Sequence, residues 1–194
     1  KTLIIMGGPN ISINLFDKED FLRENSSIDI LVEGDGEIVS LKLLNKYYEL
    51  DKSILHLKSA KTINCFAYDH IANKFLVGEL EDTRLGMEKM SLDEIPSPFL
   101  SGLMDVFFED GAIPLLESNR GCPYSCSYCQ QGTKYFSKIR FYDGSRIQDE
   151  LLYIAKRREE LGVNISIVEF ADPNFGQYKQ DLDVFEGIKK TQDL

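Results

Sequence analysis

The sequence predicts an α/β protein with parallel strands, because the order strand, turn, helix occurs in both halves of its 194 residues. In the first half, two short apolar runs end in glycine-rich turns, and a helical pattern follows the second. In the second half, an apolar run, a cysteine-containing loop, a helix and another apolar run follow one another. Strands that alternate with helices usually pair in parallel, so we expect a parallel sheet, open or curved.

The first half opens with two candidate strands. Residues 3–6 are apolar and run into Gly7-Gly8-Pro9, and residues 28–32 run into a second glycine-rich stretch, 33–37. A helix is predicted next, with Asp35 near its N-terminus. Its apolar residues recur at helical spacing: Ile38, Leu41, Leu44 (or Asn45) and Tyr48.

A change of pattern after residue 54 predicts a small β-hairpin and then a domain boundary. Residues 63–68 and 74–77 favour strands, with Asn73 as a turn residue between them. Pro96 and Pro98 deny regular structure to their segment. We therefore expect a first domain over residues 1–95, a linker over 96–112 and a second domain over 113–194.

The second domain is predicted as strand, loop, helix and strand. Residues 113–117 form the first candidate strand, 119–132 the loop, 145–161 the helix and 165–170 the next strand. Ser145 and Gln148 fit a capping box, and Gly162 stands where a C-terminal cap belongs. The apolar stripe of this helix comprises Ile147, Leu151, Ile154 and Ala155.

Composition argues against two classes of partner. The formal net charge is −10, and both nucleic acids and anionic membranes prefer basic surfaces, so we expect neither. The short basic runs at 156–158 and 189–190 are more typical of a solvated helix face than of an RNA site. No apolar run approaches the roughly 20 residues of a membrane helix. Four cysteines, three of them clustered, do not resemble a secreted disulfide framework and favour a reducing cytosol.

The clustered cysteines follow the spacing C-x3-C-x2-C, at Cys122, Cys126 and Cys129. Three thiolates so close in sequence can converge on one metal site, and a cube of iron and sulfide with three protein ligands leaves one iron open for chemistry. Gly121 lets the backbone bend there, and Pro123 stiffens the loop. A zinc site or a disulfide is the alternative. Zinc would need a fourth ligand, and the only histidines, His56 and His70, lie far upstream.

The cysteine loop resembles that of the radical S-adenosylmethionine superfamily. The resemblance rests on Glu-Ser-Asn-Arg-Gly-Cys-Pro at 117–123 and Ser-Cys-Ser-Tyr-Cys at 125–129. Met-Gly-Gly-Pro at 6–9 and Val-Glu-Gly-Asp-Gly-Glu at 32–37 are similar to the branch that carries a cobalamin-binding-type domain in front of the barrel, although Asp35 stands where Glu is commoner. The resemblance implies a truncated Rossmann-like parallel-sheet domain followed by the first βα units of a partial (βα)6 barrel.

The same resemblance implies roles for particular residues. The three clustered cysteines would hold a 4Fe–4S cluster, and S-adenosylmethionine would chelate the open iron and yield a 5′-deoxyadenosyl radical. Tyr128 would lie near the adenine, with ordinary loop packing as the alternative. Asp172 is the first choice and Glu169 the second for holding the methionyl amine; each is otherwise a strand-end or cap residue. Arg120 would pair with Glu117 or with a cofactor carboxylate, the ordinary salt bridge being favoured.

Cobalamin is a second cofactor that the resemblance raises. Gly7 and Gly8 would then approach the corrin tail, although a plain structural turn explains them equally well. Neither His56 nor His70 fits the Asp-x-His-x-x-Gly motif that supplies an axial ligand. Cys65 stands apart from the cluster and is expected to be a small buried residue.

We therefore expect a radical S-adenosylmethionine enzyme that draws electrons from a flavodoxin- or ferredoxin-type donor. Methyl transfer, radical rearrangement and sulfur insertion stay open, and the substrate is either a small molecule or a modified macromolecule. An iron–sulfur electron-transfer or zinc-binding structural module without radical chemistry is the alternative. Because the chain starts without Met and inside a candidate strand, and holds only about two βα units, we expect a piece of a longer protein that is inactive alone.

Overall fold

A computed structural model describes residues 2–8, 11–12, 14–80, 91–132 and 136–192. The chain divides into two compact units, Lys1–Lys89 and Met90–Leu194. Both units combine helices with a sheet that contains a parallel strand pair, which confirms the predicted α/β class. Within the described ranges, no helix has the length and apolar character needed to cross a membrane.

The first unit is a four-stranded sheet with helices. Its elements are β1 (Ile5–Met6), α1 (Leu15–Glu24), β2 (Ile30–Val32), α2 (Gly36–Glu49), α3 (Ile54–Ser59), β3 (Cys65–Asp69) and β4 (Lys74–Val77). The strand order is β1-β2-β3-β4, with β1 and β2 parallel and the other two pairs antiparallel. The predicted hairpin is confirmed as β3–β4, and it makes the sheet mixed because it continues the parallel pair.

Helix α1 has no counterpart in the sequence prediction, since few of its residues are apolar. Asn14 is its N-cap and accepts a hydrogen bond from the backbone N–H of Phe16. The inner face of the helix includes a lysine, Lys18, which is 2% exposed. The Lys18 ammonium pairs with Glu33 and lies 4.3 Å from the centre of the Phe66 ring. A buried charge that is paired in this way allows a polar sequence to form a core helix.

Helix α2 lies where the sequence predicts it but buries a different face. The predicted apolar positions Leu41 and Tyr48 are 60% and 64% exposed, whereas Leu43 is fully buried. Val39 and Tyr47 flank Leu43 at helical spacing, and all three pack with β2 and β3. More than one set of apolar residues on this helix recurs with a 3.6-residue period, so periodicity alone does not show which set is buried.

The second unit contains a parallel crossover. Its elements are α4 (Asp105–Glu109), β5 (Leu115–Leu116), β6 (Asn119–Arg120), β7 (Arg140–Phe141), α5 (Gly144–Leu161), β8 (Glu169–Phe170) and α6 (Asp181–Thr191). Strands β5 and β8, which precede and follow α5 in the sequence, pair in parallel. Strands β6 and β7 form a separate antiparallel pair. Phe99 and Phe108, within the stretch predicted as a linker, pack in the core of this unit.

The caps of α5 are partly as predicted. The capping box of Ser145 and Gln148 is wrong, because Asp143 is the N-cap and accepts a 2.8 Å hydrogen bond from the Ser145 backbone N–H. Bonds from the Ser145 hydroxyl and N–H lower the pKa of the Asp143 carboxyl. Gly162 ends the helix at φ 65° in the left-handed region, which confirms the predicted C-terminal cap. Ile147, Leu151 and Ile154 of the predicted stripe are buried.

The orientation of α2 is tested by shortening one buried and one exposed leucine. Leu43→Ala is expected to lower the free energy of unfolding by about 2–5 kcal/mol, because it leaves a cavity beneath the sheet. Leu41→Ala, the matched control on the exposed side, should change it by less than about 0.5 kcal/mol. Urea unfolding followed by circular dichroism measures both variants. Equal losses would contradict the burial of Leu43.

Candidate cofactor-binding site

The cysteine loop follows the carboxyl end of β5 in the second unit, and β7 follows the loop. It is pinned at its base, where the backbone N–H of Cys122 donates a 2.8 Å hydrogen bond to the carbonyl of Phe136. Gly121 precedes this bond at φ 112°, a conformation that favours glycine. A Cβ at Gly121 would lie 2.5 Å from the carbonyl oxygen of Lys138. The close approach of the two loop ends therefore requires glycine at this position.

The outer part of the loop folds as two successive turns. The Cys129 N–H donates to the Cys126 carbonyl at 3.1 Å, and the Gly132 N–H donates to the Cys129 carbonyl at 2.9 Å. A Cβ at Gly132 would lie 2.2 Å from the carbonyl oxygen of Cys126, so this glycine closes directly against the cysteine backbone. These turns shape the segment that carries two of the three thiols.

The three thiols differ in exposure. Cys122 is 8% exposed, whereas Cys126 and Cys129 lie at the surface. Tyr128, predicted to lie near an adenine, is 91% exposed, and a hydrogen bond with Cys126 raises the pKa of its phenol. Across the described ranges, no three histidine, cysteine or acidic side chains converge as a metal site. The structure thus places the cysteines on one loop without gathering their sulfurs.

Asp172 holds the start of the loop. Its carboxylate accepts hydrogen bonds from the Ser118 backbone N–H at 2.8 Å, the Ser118 hydroxyl at 2.6 Å and the Asn119 N–H at 3.1 Å. The parallel register explains the contact, since Leu116 pairs with Phe170 and both Ser118 and Asp172 stand two residues beyond that pair. The assignment of Asp172 to a methionyl amine stays a prediction, and the visible partners of its carboxylate are these three donors.

Two further residues after β8 reach the cysteine loop, and sequence reasoning missed both. The Asn174 side-chain amide donates to the Cys122 sulfur at 3.2 Å, and the Tyr124 hydroxyl donates to Gln177 at 3.0 Å. Their position in the sequence could have indicated them, because polar residues that follow a parallel strand lie at the same sheet edge as the loop after the neighbouring strand. The segment after β8 therefore forms one wall of the loop.

The structure also places the remaining predicted residues of this unit. Glu169 is an exposed residue of β8, opposite Leu115 in β5, and stays the second choice for an amine ligand. Arg120 forms a 2.7 Å salt bridge with Glu117, the ordinary pairing that the sequence favours. Glu117 also accepts a hydrogen bond from the Tyr142 hydroxyl at 3.4 Å. Through Glu117, these two contacts link Arg120 in β6 to Tyr142, which lies just before α5.

In the first unit, Gly7 and Gly8 follow β1 at the carboxyl edge of the parallel pair. Gly8 has φ 101°, and none of the described residues has an atom within 4 Å of a Cβ added there. A Cβ at Gly7 would lie 3.3 Å from the Val32 carbonyl oxygen, which indicates close packing against β2. Both the predicted cofactor contact and a plain turn agree with this geometry. Pro9, the last residue of the motif, lies outside the described residues.

Next to this turn is a cavity of about 170 Å³ between the β1–β2 edge and α1. Its lining is mixed in character: Met6, Ile11, Ser12, Asp17, Lys18, Phe21 and Leu31. The buried Lys18 and the exposed Asp17 give it polar walls, and the apolar residues form the rest. The cavity is too small for a whole corrin and could accommodate only a small part of a ligand.

No protein-family model matches the chain. It is 27% identical over 210 residues to the cobalamin-dependent radical SAM methyltransferase TokK of Streptomyces tokunonensis, covering 98% of this chain and 26% of TokK. It is 28% identical to the 2-(S-pantetheinyl)-carbapenam-3-carboxylate methyltransferase of Streptantibioticus cattleyicolor, covering 96% of this chain and 25% of the relative. The chain thus spans about a quarter of the length of these curated relatives.

A solved structure shares the fold. The cobalamin-dependent S-adenosylmethionine radical enzyme OxsB, with aqua-cobalamin and S-adenosylmethionine bound, superposes with a TM-score of 0.62 at 19% identity. The match covers 97% of this chain and 24% of OxsB. Together with the curated relatives, this match confirms the resemblance to radical S-adenosylmethionine proteins that carry a cobalamin-binding-type domain.

The environments of the thiols predict their order of alkylation. Burial raises the pKa of the Cys65 thiol to about 12, so little thiolate forms there at pH 8. Iodoacetamide is therefore expected to label the exposed Cys126 and Cys129 at least about tenfold faster than Cys65 in protein without metal. Peptide mass spectrometry over time measures the rates. Unfolding in urea is the control and should remove the difference; equal rates before unfolding would contradict the structure.

Removal of the Asp172 carboxylate tests its hold on the loop. Asp172→Ala leaves three donors without their acceptor and is expected to lower the free energy of unfolding by about 1–3 kcal/mol. The Ser118 and Asn119 amides should also exchange faster with solvent, which hydrogen-exchange mass spectrometry detects. Asp149→Ala, which removes an exposed carboxylate from α5, is the control. Unchanged exchange at 118–119 would show that the contact does not hold the loop.

Proposed function

We propose that this chain, whose relatives are radical S-adenosylmethionine proteins with a cobalamin-binding-type domain, carries the cluster-binding loop of such an enzyme. Its ligands would be Cys122, Cys126 and Cys129. The observation that carries the proposal is their position on one loop at the carboxyl end of the parallel pair β5–β8. Enzymes built from parallel βα units bind cofactors at this edge.

The donor set fits a 4Fe–4S cluster. Three soft thiolates suit iron and sulfide, and their number leaves one iron for the amine and carboxylate of S-adenosylmethionine. The two outer thiols are exposed and so accessible to a cluster assembled from solution. When bound, the cluster supplies the electron that cleaves the cofactor to methionine and a 5′-deoxyadenosyl radical. A flavodoxin- or ferredoxin-type protein is the proposed source of that electron.

The residues of the chain would position the site rather than supply its chemistry. The Asp172 carboxylate fixes the entry of the loop through Ser118 and Asn119. The glycines at 121 and 132 allow the loop to close against its own backbone. Tyr128, exposed beside two of the thiols, is available to stack on the adenine of the cofactor.

Methyl transfer with cobalamin is the reaction that the relatives favour. Both curated relatives described above are methyltransferases by name, and TokK is cobalamin-dependent. Gly7 and Gly8 would face the cobalamin tail, because they turn at the carboxyl edge of β1 and a Cβ added at Gly8 would meet no atom of the described residues. The proposal does not name the substrate, which is either a small molecule or a macromolecule.

Iron reconstitution tests the proposal. Anaerobic loading with iron and sulfide is expected to give about four irons per chain and, after reduction, a paramagnetic spectrum that shifts when S-adenosylmethionine is added. Cys126→Ser should lose most of the iron, because two thiolates hold a cube poorly. Cys65→Ala, the matched control, should retain it.

The outcome also separates the alternative functions. Preferential zinc binding would contradict the proposal and favour a structural module. A cluster with four protein ligands and a spectrum indifferent to S-adenosylmethionine would contradict it in favour of electron transfer.

A further inference from the structure

We propose that Asn174 is a positioning residue that raises the reduction potential of the cluster by donating a hydrogen bond to the sulfur of Cys122. The inference rests on the proposed function, since it concerns a ligand of the cluster. The Asn174 side-chain nitrogen lies 3.2 Å from the Cys122 sulfur. The two residues are 52 positions apart, so the contact is made by the tertiary fold rather than by the loop itself.

Cys122 is the cysteine for which a protein donor matters most. Its side chain is buried, whereas the surface positions of Cys126 and Cys129 leave their sulfurs open to water. A thiolate withdrawn from water needs hydrogen bonds from the protein to stabilise its charge. The Asn174 amide supplies such a bond and has no titratable group of its own.

The amide is held in place on both sides along the chain. Two residues before it, Asp172 is fixed by its three hydrogen bonds to Ser118 and Asn119. One residue after it, the Phe175 ring stacks on Phe170 with centroids 4.9 Å apart and packs against the core of the second unit. The Asn174 carbonyl also accepts a 3.2 Å hydrogen bond from the Gln177 N–H. The backbone that carries the donor is therefore held in place before any cluster binds.

The physical effect has a definite sign. Reduction adds one negative charge to the cluster, and hydrogen bonds to its sulfurs stabilise the more negative state. Groups that bond to ligands in this way orient the ligand and tune the metal. Loss of the Asn174 donor should therefore make the cluster harder to reduce, which affects the step that requires an external electron.

The test uses two replacements of near-equal size. Asn174→Leu removes the donor, and Asn174→Asp exchanges it for a carboxylate. Both reconstituted variants are expected to hold as much iron as the unaltered chain but to show a more negative midpoint potential. At a fixed solution potential, the fraction of cluster that is reduced should fall by about threefold to tenfold in Asn174→Leu. It should fall further in Asn174→Asp. Redox titration monitored by paramagnetic resonance measures the shift.

Gln148→Leu is the control, because it removes a side-chain hydrogen bond within the same unit, to the Asp183 carbonyl, rather than one to a sulfur. Its potential should equal that of the unaltered chain. Normal iron content with an unchanged potential in Asn174→Leu would overturn the inference while leaving the cluster in place. If Asn174→Leu fails to fold, Asn174→Ala, which also lacks the donor and adds no charge, decides instead. Absence of a cluster in the unaltered chain would instead contradict the proposed function.

Discussion

The carboxylate of Asp172 makes the contact on which the arrangement of the cysteine loop depends. Parallel pairing of β5 with β8 brings two chain segments to one sheet edge, and Asp172 joins them through Ser118 and Asn119. The first cysteine, Cys122, lies three residues after Asn119. Because the same segment continues to Asn174, one short stretch both anchors the loop and supplies a donor to its buried sulfur. The position of the loop is thus a consequence of strand register.

Much of the fold could be predicted from the sequence, because glycine turns and apolar runs are local signals. The α/β class, the β3–β4 hairpin and the cap at Gly162 are confirmed. Helix α1 was missed because the buried Lys18 looks like a surface residue until its partner, Glu33, is known. The buried face of α2 was mistaken because Leu41 and its neighbours are apolar yet exposed. Tertiary pairing, which no local pattern encodes, decided both cases.

The candidate site divides in the same way between local and distant signals. The cysteine spacing is local, so the three candidate ligands could be named from the sequence alone. The contacts that position them come from about 50 residues further along the chain and required the register of β8 against β5. The roles of Asp172, Glu169 and Tyr128 toward a cofactor stay predictions. Cys122 is buried, whereas Cys126 and Cys129 are exposed, so the loop is anchored at one candidate ligand and accessible at the other two.

The central claim is that three cysteines hold a cluster with one iron left for S-adenosylmethionine. Mössbauer spectroscopy of the chain reconstituted with ⁵⁷Fe tests it most directly, because it distinguishes the iron sites of one cluster. We predict that the cofactor changes the signal of one iron in about four and leaves the others as they were. Iron sites that all stay unchanged on addition of S-adenosylmethionine would contradict it.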